Sequence, residues 1–137
     1  MNKLTGTITN IQTAGAIMLV DINVDGQKFS ALLIESAIHP VWIKVDNSVD
    51  LVFKETEVSL AKGLSGQISL RNRMKCTVLN VERGELLSTV RMQFGKYTVT
   101  SAVTSRAIDS LQVTIGDEIE ALIKANEISL MKIVDEQ

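Results

Sequence analysis

Ser69-Leu70-Arg71-Asn72 sets a hydroxyl and a guanidinium two residues apart, so in an extended strand both project to one side. A guanidinium offers several fixed N–H donors that match the geometry of an oxyanion. The same four residues also suit a solvated linker with an ordinary surface arginine. A second stretch, Val99-Thr100-Ser101-Ala102-Val103-Thr104-Ser105, runs into a helix-like segment. Amides at a helix start are unpaired and carry partial positive charge, so the hydroxyls of Ser101, Thr104 and Ser105 would add donors where an anion is already favoured. Strand and capping chemistry is the competing reading there. Lys124, with its counterpart Lys54, supplies a further pair of cations. The chemistry these residues could perform is the holding of an anion.

Bond-making chemistry finds little support. The single histidine, His39, precedes Pro40 and reads as a surface or helix-end residue, with no serine or cysteine nucleophile in a recognisable setting. Cys76 occupies the position of Gly6 in the repeat described below and reads as a small core residue rather than a reactive thiol. One histidine and one cysteine cannot build a structural zinc site within one chain. Neither a Walker sequence nor a dinucleotide fingerprint occurs. The chain reads as a binder, not an enzyme.

Composition narrows what could be bound. Fourteen Lys plus Arg stand against sixteen Asp plus Glu, a net charge of −2 that gives no broad pull on nucleic acid or anionic membranes. Aromatic residues make up 4% of the 137, leaving few stacking platforms for bases. Any bound anion must therefore be held by a few local donors. No apolar run approaches the roughly 18–20 residues that span a bilayer. Met1-Asn2-Lys3-Leu4-Thr5-Gly6 lacks the apolar core of a secretory signal. A lone cysteine fits a reducing compartment, so a cytoplasmic location is expected.

The elements that must position these residues come from an internal repeat. A shift of 70 aligns Asn2–Ala61 with Asn72–Met131 without a gap. Ten positions are identical, among them Asn2/Asn72, Asn10/Asn80 and Lys54/Lys124, and the apolar pattern persists at pairs such as Ile8/Val78, Ile22/Met92 and Phe53/Ile123. Two tandem units follow, residues 1–66 and 67–137. Each is small enough to lean on a partner for stability.

Within a copy the period is mostly two. Met18, Val20, Ile22 and Val24 alternate with Leu19, Asp21, Asn23 and Asp25, the mark of a half-buried strand. Asp25-Gly26 is a two-residue hairpin signal leading to a strand over Lys28–Ile34, and its counterpart falls near Gly95-Lys96. Further strands are expected over Val49–Lys54 and Ile119–Lys124, then over Glu57–Leu60 and Glu127–Leu130. A short helix is expected at Ser36-Ala37-Ile38, limited by Pro40, and at Ser105–Leu111, capped by Thr104 or Ser105. The fold class is all-β: two tandem OB-fold-like five-stranded barrels, each with one short helix, joined by a linker over Lys62–Ser69.

Three segments resemble the Mop domain of molybdate-binding proteins, the molbindins, and together they extend the resemblance over essentially the whole chain as a tandem arrangement. Ser69-Leu70-Arg71-Asn72 is similar to the family's Ser-Ala-Arg-Asn opening. Thr100-Ser101-Ala102-Val103-Thr104 resembles its Thr-Ser-Val-Ile-Thr segment, and Leu122-Ile123-Lys124-Ala125-Asn126-Glu127 its Val-Ile-Lys-Ala-Thr-Glu signature. The resemblance implies an OB-fold module that takes up molybdate, with tungstate as an alternative, for cytoplasmic storage or homeostasis. It also implies assembly as a homotrimer with oxyanions held between domains or subunits. Carried over by position, Ser69, Arg71, Ser101, Thr104, Ser105 and Lys124 would be donors, with Lys54 and Ser36 as first-copy counterparts.

The first copy departs from this pattern. It has no Ser-x-Arg-Asn of its own, Lys3 standing in as a point charge, and Ile34-Glu35 replaces Thr104-Ser105. Fewer competent sites than two full copies would provide are therefore expected. The loops at Gly15-Ala16 and Gly84-Glu85 resemble a region where some family members carry a second class of site. Two other functions are open to such a fold. A ligand-sensing module working with a DNA-binding or transporter ATPase partner would call for a helix-turn-helix or P-loop partner, and neither element is present in the sequence. An OB-fold nucleic-acid binder would need a basic, aromatic face that the composition does not supply.

Overall fold

A computed structural model describes residues 1–34 and 39–134. The elements are β1 (Asn2–Ala14), β2 (Ile17–Val24), β3 (Gln27–Ile34), β4 (Ser48–Phe53), β5 (Ser59–Ala61), β6 (Asn72–Arg83), β7 (Leu87–Phe94), β8 (Tyr97–Thr104), α1 (Ser105–Leu111), β9 (Glu118–Ile123) and β10 (Ser129–Lys132). They form two curled five-stranded antiparallel sheets, as the alternating pattern predicts. The helix expected at Ser36-Ala37-Ile38 lies outside the described residues.

Alternation sets which side chains enter each barrel. Asn2, Leu4, Gly6 and Ile8 of β1 point inward, as do Asn72, Met74, Cys76 and Val78 of β6. Each of these two strands carries a register shift at the same place, between Ile8 and Asn10 and between Val78 and Asn80. A bulge there bends the strand enough to curl the sheet. Asp25 and Gly26 both have positive φ, 50° and 88°, the turn that matches strand twist in a two-residue hairpin. Gly6 faces a crowded wall: a Cβ would sit 2.6 Å from the Asn23 carbonyl oxygen, whereas the second barrel accommodates Cys76 at that position.

The fifth strands change places. The sheet orders are β10-β4-β1-β2-β3 and β5-β9-β6-β7-β8. Ser129, Leu130, Met131 and Lys132 pair with Val52, Leu51, Asp50 and Val49, while Ser59, Leu60 and Ala61 pair with Leu122, Ala121 and Glu120. Each sheet is thus four strands of one copy completed by the last strand of the other. These strands begin at Ser59 and Ser129, not at Glu57 and Glu127 as expected. A 3-10 turn, Glu55–Glu57 or Ala125–Glu127, intervenes, and its backbone bonds from Glu57 N to Lys54 O and from Glu127 N to Lys124 O redirect the chain.

Buried polar side chains lock the exchange. Asn2 donates through Nδ2 to Thr100 O at 2.8 Å and accepts from Thr100 N at 2.8 Å. Asn72 does the same with Ser30, donating to its carbonyl at 2.9 Å and accepting from its amide at 2.8 Å. The first strand of each copy is therefore clamped to the third strand of the other, in two nearly superimposable ways. Phe29 and Phe94 add an edge-to-face contact with centroids 6.0 Å apart.

Cys76 is 4% exposed, and burial pushes its thiol up to about 11. At pH 8 the thiolate is then on the order of one part in a thousand. A thiol reagent added to the folded protein at pH 8 is expected to label Cys76 at least 100-fold more slowly than in denaturant; equal rates would contradict the core placement.

Candidate functional site

Two of the cationic candidates, Arg71 and Lys124, flank the place where β6 begins and β9 ends. Asn72 pairs with Ile123 as the last registered step of that ladder, and both are buried. Arg71 and Lys124 lie one residue further along each strand. The alternation that turns Asn72 and Ile123 inward leaves Arg71 and Lys124 exposed at the same end of the ladder. Neither forms an ion pair among the described residues. Ser69 and Arg71 share an open depression of about 720 Å3 with Arg73 and the linker from Gly66. The Asn72 clamp fixes the strand start that carries Arg71, and the 3-10 turn after Lys124 packs against β3 of the other copy.

Arg73 was not among the sequence candidates. It forms a bidentate pair with Glu120, Nε to Oε2 at 2.6 Å and Nη2 to Oε1 at 2.8 Å. That bond holds the Glu120 carboxyl below the usual carboxylate range and raises the guanidinium. Lys3, one repeat earlier, sits 3.4 Å from Asp50 in the equivalent pair. A basic residue at 3 and 73 with an acidic one at 50 and 120 was the sequence signal for it. Lys3 is therefore the counterpart of Arg73 and already partnered, so it does not stand in for Arg71.

The hydroxyl candidates lie elsewhere. Ser101 is fully buried, and its only proton goes to the carbonyl of Val58 at 2.6 Å, leaving it no donor for an anion. Ser105 is also buried: it donates to Gly84 O at 2.7 Å and lies 2.7 Å from the Ser88 hydroxyl. Both are better described as internal cross-links than as ligand contacts. Thr104 caps α1, accepting from Ala107 N at 3.2 Å, and keeps its own proton free at the surface. It lines a depression of about 440 Å3 with Arg83, Glu85, Leu86, Arg106 and Asp109. Arg83 there is spent on a bidentate pair with Asp109, whose carboxyl it holds down.

Lys54 heads the 3-10 turn Glu55–Glu57, which packs on β8. Ser36 lies outside the described residues. The structure thus puts Ser69 and Arg71 on one depression with Lys124 just past the paired end of the adjacent strand, places Lys54 near β8 at the pseudo-equivalent end, and leaves Thr104 and Ser105 at a third place. The single histidine, His39, has Nε2 2.6 Å from the Ile43 carbonyl, an ordinary local contact.

The Arg73–Glu120 bond makes a pH prediction. A carboxyl whose folded value lies below its unfolded one contributes stability above the unfolded value and loses it as pH falls toward the folded one. Urea midpoints should therefore hold steady from pH 7 to 5 and drop below about 4.5, the ordinary glutamate value. Glu120→Gln should flatten that drop; an unchanged profile would show that the pair contributes nothing.

Residues 68–130 match the TOBE domain model. The cytoplasmic molybdate-binding protein ModG, solved with molybdate bound, superposes with a TM-score of 0.89 at 27% identity, covering 95% of this chain and 94% of that one. The molybdenum transport protein ModE of Herbaspirillum seropedicae is 28% identical over 127 residues, 90% of this chain and 47% of that protein. The molybdenum-pterin-binding protein MopB of Rhodobacter capsulatus is 33% identical over 70 residues, 50% of this chain and 26% of that protein. The chain spans less than half the length of these two relatives. The second half of the chain thus matches a TOBE domain, the first half is a gapless repeat of it, and the two barrels together are similar along nearly the whole chain to the molybdate-binding ModG.

Proposed function

We propose that this protein binds molybdate, with tungstate as a close substitute, as a cytoplasmic storage or homeostasis protein and not as an enzyme. The observation that carries the reading is the likeness along nearly the full chain to a structure solved with molybdate bound. The residues add a physical reason: Arg71 and Lys124 are exposed cations without ion partners among the described residues at one end of a ladder, and Ser69 shares a depression with Arg71. Two cations and a neutral donor suit a tetrahedral dianion. Thr104, at the start of α1, is a further donor that would meet such an anion only through a neighbouring copy. A homotrimer with sites shared between subunits fits that division, and size exclusion with light scattering would read it.

Equilibrium dialysis against molybdate, tungstate, sulfate and single-stranded DNA tests the function. Uptake of molybdate and tungstate with sulfate bound more weakly is expected. Retention of DNA without molybdate would sink the reading. A second reading, a ligand-sensing module within a larger system, is favoured by the partial match to the longer ModE; it predicts molybdate-dependent association with a transporter ATPase or DNA-binding partner in a pull-down.

A further inference from the structure

The two ends of the pseudo-symmetric seam have the same scaffold and different charge. The clamps Asn72–Ser30 and Asn2–Thr100 agree to within 0.1 Å in their hydrogen bonds. Lys54 and Lys124 precede their 3-10 turns with the same backbone, φ −76° and ψ 148° against φ −72° and ψ 141°. The next residue differs, Glu55 in the first copy and Ala125 in the second. The position of Arg71 is held by Met1.

We propose that Glu55 closes the Lys54 end to oxyanions, so that each chain takes one tetrahedral dianion at its Arg71–Lys124 end and none at the equivalent place; this rests on the binding function proposed above. The Glu55 carboxylate contacts the Met1 amino group, and its side chain is 34% exposed. That contact and its own backbone amide hold the carboxyl below the usual range, so it is ionised at neutral pH. Lys54 is left as the one cation at that end without an ion partner among the described residues, against two at the other. Paired with Glu55, the Met1 amino group at the Arg71 position is no longer a free cation, and the loss of one such charge about 6 Å from a dianion in a water-like medium weakens binding on the order of tenfold. The same position therefore decides between an open and a closed site, and the repeat has kept one of each.

Molybdate binding by the full chain, read as equivalents and affinity in equilibrium dialysis, tests this with three variants. Ala125→Glu should weaken uptake about tenfold or more, while Ala125→Gln, of similar size and uncharged, should stay within about threefold of the parent. The first copy already carries glutamate on this backbone, so Ala125→Glu should fold, which circular dichroism checks. Glu55→Ala should add a second, weaker equivalent per chain. Parent-like binding by Ala125→Glu, or no extra equivalent in Glu55→Ala, would overturn the inference while leaving the functional reading intact. A parent chain that takes up no molybdate would overturn both.

Discussion

Replacing Asn2 and Asn72 together by alanine is expected to abolish cooperative folding. Asn2 is 5% and Asn72 1% exposed, and each satisfies both the N–H and the C=O of a residue on the opposite copy. Truncation leaves two backbone groups unpaired in a closed seam and opens a void. Such orphaned groups cost about 1–3 kcal/mol each, so each variant, with two of them, should lose roughly 2–6 kcal/mol. The pair approaches the whole stability of a domain this size, about 5–15 kcal/mol. The two single variants should shift the urea midpoint by similar amounts, because the clamps are near copies. A double variant within about 1 kcal/mol of the parent would mean that the seam is held by something else.

Arg71→Ala is the second large effect, on binding and not on folding. Arg71 is exposed and makes no ion pair among the described residues, so its removal should leave the melting temperature unchanged. Charge-assisted hydrogen bonds contribute about 1.5–3 kcal/mol each, and one such bond to a dianion corresponds to a loss of about 10- to 100-fold in molybdate affinity. Lys124→Ala should show a smaller loss, since an ammonium is a point charge without the fork geometry of a guanidinium. Unchanged affinity in Arg71→Ala, with intact fold, would mean that the anion sits elsewhere, with the Thr104 depression the next place to look.

Much of this fold was legible in the sequence because it is encoded locally. Alternation along Met18–Val24 gave the strand, and Asp25-Gly26 gave the turn, since both positions require positive φ. The 70-residue shift gave two units of one kind. The exchange of β5 and β10 could not be read. Ser59-Leu60-Ala61 and Ser129-Leu130-Met131 are nearly the same tripeptide, and either would satisfy the edge of β4 or of β9. Which edge each takes is decided by the path of the preceding turn and by the asparagine clamps, both of them long-range.

The site was legible where chemistry depends on exposure and opaque where it depends on burial. Arg71, Ser69 and Lys124 stood out by type and spacing; Ser69 and Arg71 line one depression, and Lys124 follows the end of the neighbouring strand. Ser101 and Ser105 looked equally suited, yet a serine side chain is small enough to be buried once its proton has a carbonyl partner, and both found one. Asn2 and Asn72 were visible as an identity between the copies, but nothing in one strand shows that its asparagine reaches across to another copy's backbone. Arg73 was overlooked because its partner Glu120 lies 47 residues away.

Crystals grown with tungstate, read by anomalous scattering, test the central claim most directly. A peak is predicted within hydrogen-bonding reach, about 3 Å from its oxygens, of both the Arg71 guanidinium and the Lys124 ammonium, with Ser69 beside it. Strong peaks elsewhere, with those two cations facing only solvent, would contradict it.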